Sequence, residues 1–110
     1  MSELADLQKV ITRTRAERGF VTDPVKIHVL LSEEIGEIAS ELKRLWSKNY
    51  GDFNPAQLKE EIADAFVLLT ALAAQFDIDI EEAVVEKFFQ KDSAREWKSA
   101  IEVDSSGTNT

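Results

Sequence analysis

The chain has 110 residues, 44% of them apolar and 31% charged, with 13 Lys and Arg against 21 Asp and Glu for a net charge of −8. That length accommodates one domain with a single modest core, and the composition is too apolar for a disordered chain. An acidic surface repels nucleic-acid backbones and anionic lipid, and the absence of Cys excludes disulfides, thiol nucleophiles and thiolate metal sites.

The lone histidine, His28, excludes zinc sites built on several imidazoles. Residues 1–6 carry acids early and no apolar run, so no secretory signal is expected. The longest apolar stretch, residues 65–74, is interrupted by Thr70 and falls far short of the roughly 20 residues that span a bilayer. A cytoplasmic location is the default expectation.

In chain order, Ser2 is placed to cap a first helix running to about residue 18, with Leu4, Leu7, Val10, Ile11 and Thr14 on one face and Gly19 ending it. Thr22-Asp23-Pro24 supplies a cap and a first-turn proline for a second helix, expected over residues 24–48. Residues 49–52 form a turn. Asn54-Pro55 opens a third helix to about residue 76, and Asp79 caps a fourth over residues 80–99. The sequence therefore predicts an all-α fold, a four-helix antiparallel bundle, as a single domain over residues 1–103 with a disordered tail over 104–110.

Between Ala63 and Ala74 only Asp64 and Thr70 are polar. A helix apolar nearly all round needs cover on every side, which points to burial by a second subunit, the alternative being a central helix of the monomer.

The apolar stripe of the second helix is Ile27, Leu31, Ile38, Leu42 and Leu45, and its missing rung is Glu34, with Glu37 one turn on. The third helix repeats the pattern. Its stripe runs through Leu58, Ala65, Leu68 or Leu69, Leu72 and Phe76; the missing rung is Glu61, with Asp64 one turn on. Each helix thus sets two carboxylates, spaced i and i+3, at the edge of a core.

Bare carboxylates there cost several kcal/mol each unless compensated. The i,i+4 neighbours Glu33–Glu37, Glu37–Glu41 and Glu60–Asp64 are like charges, the reverse of a salt-bridged face. Gly36 in mid-helix is explicable if a helix, metal or ligand approaches closely. An all-oxygen donor set favours Mg²⁺, with Mn²⁺ as a substitute, over Zn²⁺. A di-iron bundle would need Glu-x-x-His motifs, and Val25 precedes His28 by three. Mg²⁺ held by a few carboxylates shares its remaining positions between water and substrate phosphate, which points to phosphoanhydride chemistry and shows how an acidic protein can hold an anion.

Glu33-Glu34-Ile35-Gly36-Glu37, followed after 23 residues by Glu61-Ile62-Ala63-Asp64, resembles the EExxE…ExxD pattern of the MazG-like all-α nucleoside triphosphate pyrophosphohydrolases. The likeness continues through residues 68–73, the junction over 77–83, and the basic segment holding Glu86-Lys87 and Lys91-Asp92-Ser93-Ala94-Arg95, so that it covers roughly residues 4–97. The length is similar to that of the short stand-alone members. The resemblance implies Mg²⁺-dependent hydrolysis of a (deoxy)nucleoside triphosphate to monophosphate and pyrophosphate, a nucleotide-pool house-cleaning activity. It makes Glu34, Glu37, Glu61 and Asp64 metal ligands, with Glu33 auxiliary or orienting the attacking water. It also implies a dimer or tetramer whose pocket is completed by more than one subunit. Where the family often has Asn after the Lys of its last helix, this chain has Asp92.

A mechanism follows in which Glu33 or Glu37 positions or deprotonates the water. Lys87, Lys91 and Arg95, spaced by four, are candidate phosphate donors against a reading as surface pairs with Glu86 and Asp92. Lys26 and His28 lie at the expected pocket mouth, His28 being more readily structural. Of the aromatics that can stack on a base, Phe20 and Trp46 flank the carboxylate helix, whereas Phe53 and Trp97 read as packing. Glu41, with Arg44 in reach, reads as solvated. Two rivals stand beside this reading: a non-catalytic acidic bundle that binds a protein, and a hydrolase of another phosphoanhydride such as phosphoribosyl-ATP.

Overall fold

A computed structural model of the chain describes residues 2–100, all of whose regular structure is helical. Helix α1 spans Glu3–Glu17, α2 Pro24–Leu42, α3 Pro55–Ala74 and α4 Ile80–Val84. The expected tail over 104–110 lies outside the described residues.

The caps are those the sequence supplies. Ser2 Oγ accepts the Ala5 N–H at 3.1 Å, Asp23 Oδ1 that of Val25 at 2.9 Å, Asn54 Oδ1 that of Ala56 at 3.0 Å, and Asp79 Oδ1 that of Glu82 at 3.0 Å. Each satisfies a first-turn donor that the helix leaves unpaired. Gly19 closes α1 at φ +70°, a left-handed conformation in which a Cβ is strained.

Helices α2 and α3 make the most extensive contact in the chain. They run antiparallel: Glu41 at the end of α2 meets Asn54 at the start of α3, and Glu34, two turns back, meets the charges of Glu61 and Asp64, two turns forward. Among the described residues Ile27, Ala65 and Ala71 are the buried apolar side chains, and Thr70 is fully buried with its hydroxyl donating to the Val67 carbonyl at 2.7 Å. Helix α1 is fastened to the α3–α4 junction by buried Gln8. Its Nε2 donates to the Ile78 carbonyl at 2.7 Å and its Oε1 accepts the Ile80 N–H at 3.0 Å.

Two elements depart from the sequence expectation. Helix α2 stops at Leu42 rather than near residue 48, and the chain continues through short 3₁₀ turns at Lys43–Leu45 and Lys48–Tyr50. The bond from Asn54 back to Glu41 requires the chain to reverse between them, so a straight helix cannot persist. Leu42 and Leu45, expected on the core stripe, are exposed. The fourth helix is α-helical only over Ile80–Val84, continues as a π-helix over Val85–Lys91, and gives way to a turn and irregular chain before residue 99. Phe88 and Phe89 stand there 63% exposed, packed edge-to-face on each other at 5.1 Å; a short helix whose apolar residues are left this exposed has little packing to sustain it.

The apolar surround expected for α3 is not supplied by the described residues. Ile62 and Leu69 are exposed, and the C-terminal half of α3 opens with α4 on a groove of about 590 Å³ lined by Leu69, Leu72, Phe76, Ile80, Val84 and Phe88. Among the described residues, no helix is long and apolar enough to cross a membrane.

Candidate functional site

The seam between α2 and α3 carries the acids. Glu61 is buried and Glu34 half-buried, as the missing rungs of the two stripes require, while Glu37 and Asp64 are exposed at the rim. Glu34 Oε2 and Glu61 Oε1 are buried with no hydrogen-bond partner. A buried carboxylate oxygen left unpaired is expensive, and two on facing helices mark a place that calls for positive charge.

The electrostatics agree. Burial, then the charges of Glu37, Asp64 and Glu61, then a hydrogen bond with Glu37, push the Glu34 carboxyl above its ordinary range. The other three acids of the seam therefore all act on Glu34. Among the described residues, no three Asp, Glu or His side chains are gathered closely enough to form a ready-made metal site. Like charges in this number hold one another apart. The donor set nevertheless fits a hard divalent cation: it is all oxygen, and two of its oxygens are already desolvated without a partner.

Glu33 is exposed on α2. Glu37 and Glu61 line a cavity of about 340 Å³ at the open end of the seam, together with Ser40, Arg44 and Gln57. Glu41 also borders it, and here the sequence reading is corrected. Glu41 is not a solvated residue but is 3% exposed, with Oε1 on Arg44 Nη1 at 3.0 Å and Oε2 accepting the Asn54 backbone N–H at 2.7 Å. The expected Arg44 pairing is present. The signal was in the spacing: residue 41 lies seven after Glu34, two turns along the same stripe. Gly36 meets nothing within 4 Å of where a Cβ would stand, so none of the described residues makes the close approach that would explain it.

The basic segment is not a line on a helix. Lys87 donates to Asp92 Oδ2 at 2.6 Å, and Arg95 reaches the same oxygen at 3.5 Å from the irregular chain beyond the π-helix. Asp92 thus takes two of the three cations expected to hold phosphate, and exposed Lys91 stands on the π-helix. Phe20, 46% exposed, lies under the Arg15 guanidinium at 5.2 Å. Lys26 and His28 are exposed, Trp46 is 74% exposed, Phe53 is half-buried, and Trp97 is 94% exposed rather than packed. Glu34 thus feels the charges of the other three seam acids, while Lys87 and Arg95 are drawn to Asp92.

The sequence profile of the MazG nucleotide pyrophosphohydrolase domain matches residues 23–97, which include all of α2, α3 and α4. Neither the curated proteins nor the solved structures gave a match. With the profile covering more than half of the chain and every acid of the seam inside it, this all-helical protein belongs to the MazG nucleotide pyrophosphohydrolase family.

Proposed function

We propose that the protein hydrolyses (deoxy)nucleoside triphosphates to the monophosphate and pyrophosphate in a Mg²⁺-dependent reaction, as a nucleotide-pool house-cleaning enzyme. The observation that carries this is the pair of buried, unpartnered carboxylate oxygens, on Glu34 of α2 and Glu61 of α3, two helices packed on one another. An acidic face that served only solubility or protein docking would keep its carboxylates in water, whereas Glu61 is 8% exposed.

Glu34, Glu37, Glu61 and Asp64 hold the cation, with Mn²⁺ as a substitute. A divalent cation bound there supplies charge neutralisation for the phosphates and lowers the pKa of a water molecule. Glu37 lines the cavity beside Glu61 and is placed to take the proton of the attacking water, with exposed Glu33 one residue before Glu34 orienting it. Glu34, on which the charges of Glu37, Asp64 and Glu61 all act, binds the cation.

The uncovered apolar groove and the exposed Ile62 and Leu69 support assembly as a homodimer or homotetramer. In that assembly Lys87, Lys91 and Arg95 approach the phosphates from a second subunit, and Phe20, Lys26 and Trp46 remain the candidates for the base and pocket mouth. The test is pyrophosphate release across a panel of ribo- and deoxynucleoside triphosphates, each with Mg²⁺ and with chelator. Metal-dependent release from a subset of the panel is the expected result; no release from any member contradicts the reading.

A further inference from the structure

Lys87 and Arg95 of the C-terminal segment are paired with Asp92 within their own chain, yet a triphosphate held at the seam needs a positive partner close by. One cation already stands at the seam. Arg44 lines the 340 Å³ cavity that Glu37 and Glu61 also line, and Glu61 Oε1 in that wall is buried without a hydrogen-bond partner. The cavity falls at the lower end of the range for small-molecule sites. Its remaining walls are polar, with the Ser40 hydroxyl and the Gln57 amide as further hydrogen-bonding groups.

Arg44 is also oriented. Its Nη1 is fixed at 3.0 Å by Glu41 Oε1, and Glu41 is in turn fixed by the Asn54 backbone N–H at 2.7 Å. One of five guanidinium N–H donors is used in that bond, and the side chain is 37% exposed on the cavity side of a buried carboxylate. A guanidinium held by one edge presents the rest of its planar fork at little further entropic cost, and that fork matches phosphate oxygens two at a time.

We propose that this cavity takes the phosphate tail of the substrate and the pyrophosphate product, with Arg44 as the phosphate-binding residue and Glu41 as the residue that positions it. This rests on the pyrophosphohydrolase reading and deepens it: the recognised chemistry is a metal-complexed di- or triphosphate, gripped between the seam carboxylates on one side and the Arg44 fork on the other. The arrangement also accounts for a buried Glu41 on a helix already crowded with acids, because it holds a cation that the site uses.

The experiment is calorimetric titration of the full chain with inorganic pyrophosphate in the presence of Mg²⁺, alongside titration with Mg²⁺ alone. Arg44→Gln is expected to weaken Mg²⁺–pyrophosphate binding by about 10- to 100-fold, the range for losing charge-assisted hydrogen bonds, while Mg²⁺ alone binds as in the unaltered protein. Arg44→Lys keeps the charge beside Glu41, and with it the fold, but loses the fork; it is expected to weaken pyrophosphate binding by about five-fold or more. Glu41→Gln keeps an acceptor for Asn54 and is expected to give an intermediate loss. Should Arg44→Gln melt below the assay temperature, Arg44→Lys decides alone. Unaltered pyrophosphate affinity in the folded Arg44 variants, with the parent protein binding pyrophosphate, overturns the assignment of Arg44 and leaves the activity standing. A parent protein that neither binds Mg²⁺–pyrophosphate nor turns over any nucleotide overturns both.

Discussion

Glu41 Oε2 accepts the backbone N–H of Asn54 at 2.7 Å, tying the last turn of α2 to the N-cap of α3. That bond sets the register of the hairpin on which all four seam acids ride. Counting back from Glu41 by one and two turns gives Glu37 and Glu34; counting forward from Asn54 by two and three turns gives Glu61 and Asp64. A carboxylate with no expected role beyond solvation thus aligns the two halves of the site.

Removing it should therefore cost stability. Glu41→Ala strands the Asn54 N–H and leaves Arg44 without its partner, a loss of about 2–3 kcal/mol by the usual cost of unmade hydrogen bonds, discounted because Arg44 is partly in water. Glu41→Gln retains an acceptor for Asn54 and should lose about half of that. Urea unfolding of the three proteins checks the order, and equal midpoints for Ala and Gln would contradict it.

The seam should be more stable without its negative charge than with it, as long as no cation is present. Glu37→Gln and Asp64→Asn each remove a charge that acts on Glu34. Each should raise the metal-free melting temperature by about 2–4 °C, in line with relief of like-charge contacts in a domain of this size. The same substitutions should lower turnover by about 100-fold or more. A melting temperature that falls by many degrees in chelator would show that these side chains stabilise the fold in their own right.

The pH dependence of the metal-free protein follows from Glu34. Its carboxyl is raised in the folded chain, chiefly by burial and then by Glu37, Asp64 and Glu61, so the folded state holds a proton that the unfolded state releases. The resulting stabilisation is full below the ordinary carboxylate range and is lost as pH rises through the raised value. Melting temperatures in chelator should decline over that window, and Glu34→Gln should flatten the decline. Saturating Mg²⁺ should flatten it as well, because the cation displaces the proton on binding.

Assembly should depend on the groove at the α3–α4 junction. Leu69→Asp and Phe88→Asp place charge on exposed apolar positions of its wall, where the single chain buries little. Sedimentation should show the parent protein as a dimer or tetramer and these variants shifted towards monomer with helix content retained. A parent protein that sediments as a monomer at micromolar concentration would contradict this.

The helix starts were legible because each rests on a local device: Ser2, Asp23-Pro24, Asn54-Pro55 and Asp79 act within three residues of themselves. So were Glu34 and Glu61, because a missing rung in a stripe is visible in the spacing alone. The failures arose where long-range contacts decide. Residues 43–48 have ordinary helix formers and no breaker, and only the return to Asn54 ends α2 there. Residues 85–99 read as helix by pattern, but Phe88 and Phe89 stay largely exposed among the described residues, and Asp92 gathers Lys87 and Arg95 into a local turn. Glu41 was hidden by its neighbours, a fourth acid on a helix where three others already suggested solvent or metal.

The central claim is that Glu34, Glu37, Glu61 and Asp64 together hold a divalent cation, and Mn²⁺ binding followed by electron paramagnetic resonance tests it most directly. Free Mn²⁺ should be depleted by the parent protein and restored by excess Mg²⁺. Glu61→Gln, which neutralises the buried member of the set, should weaken the binding by at least about 10-fold at unchanged helix content. Equal Mn²⁺ affinity in the parent protein and in a folded Glu61→Gln variant would contradict the account.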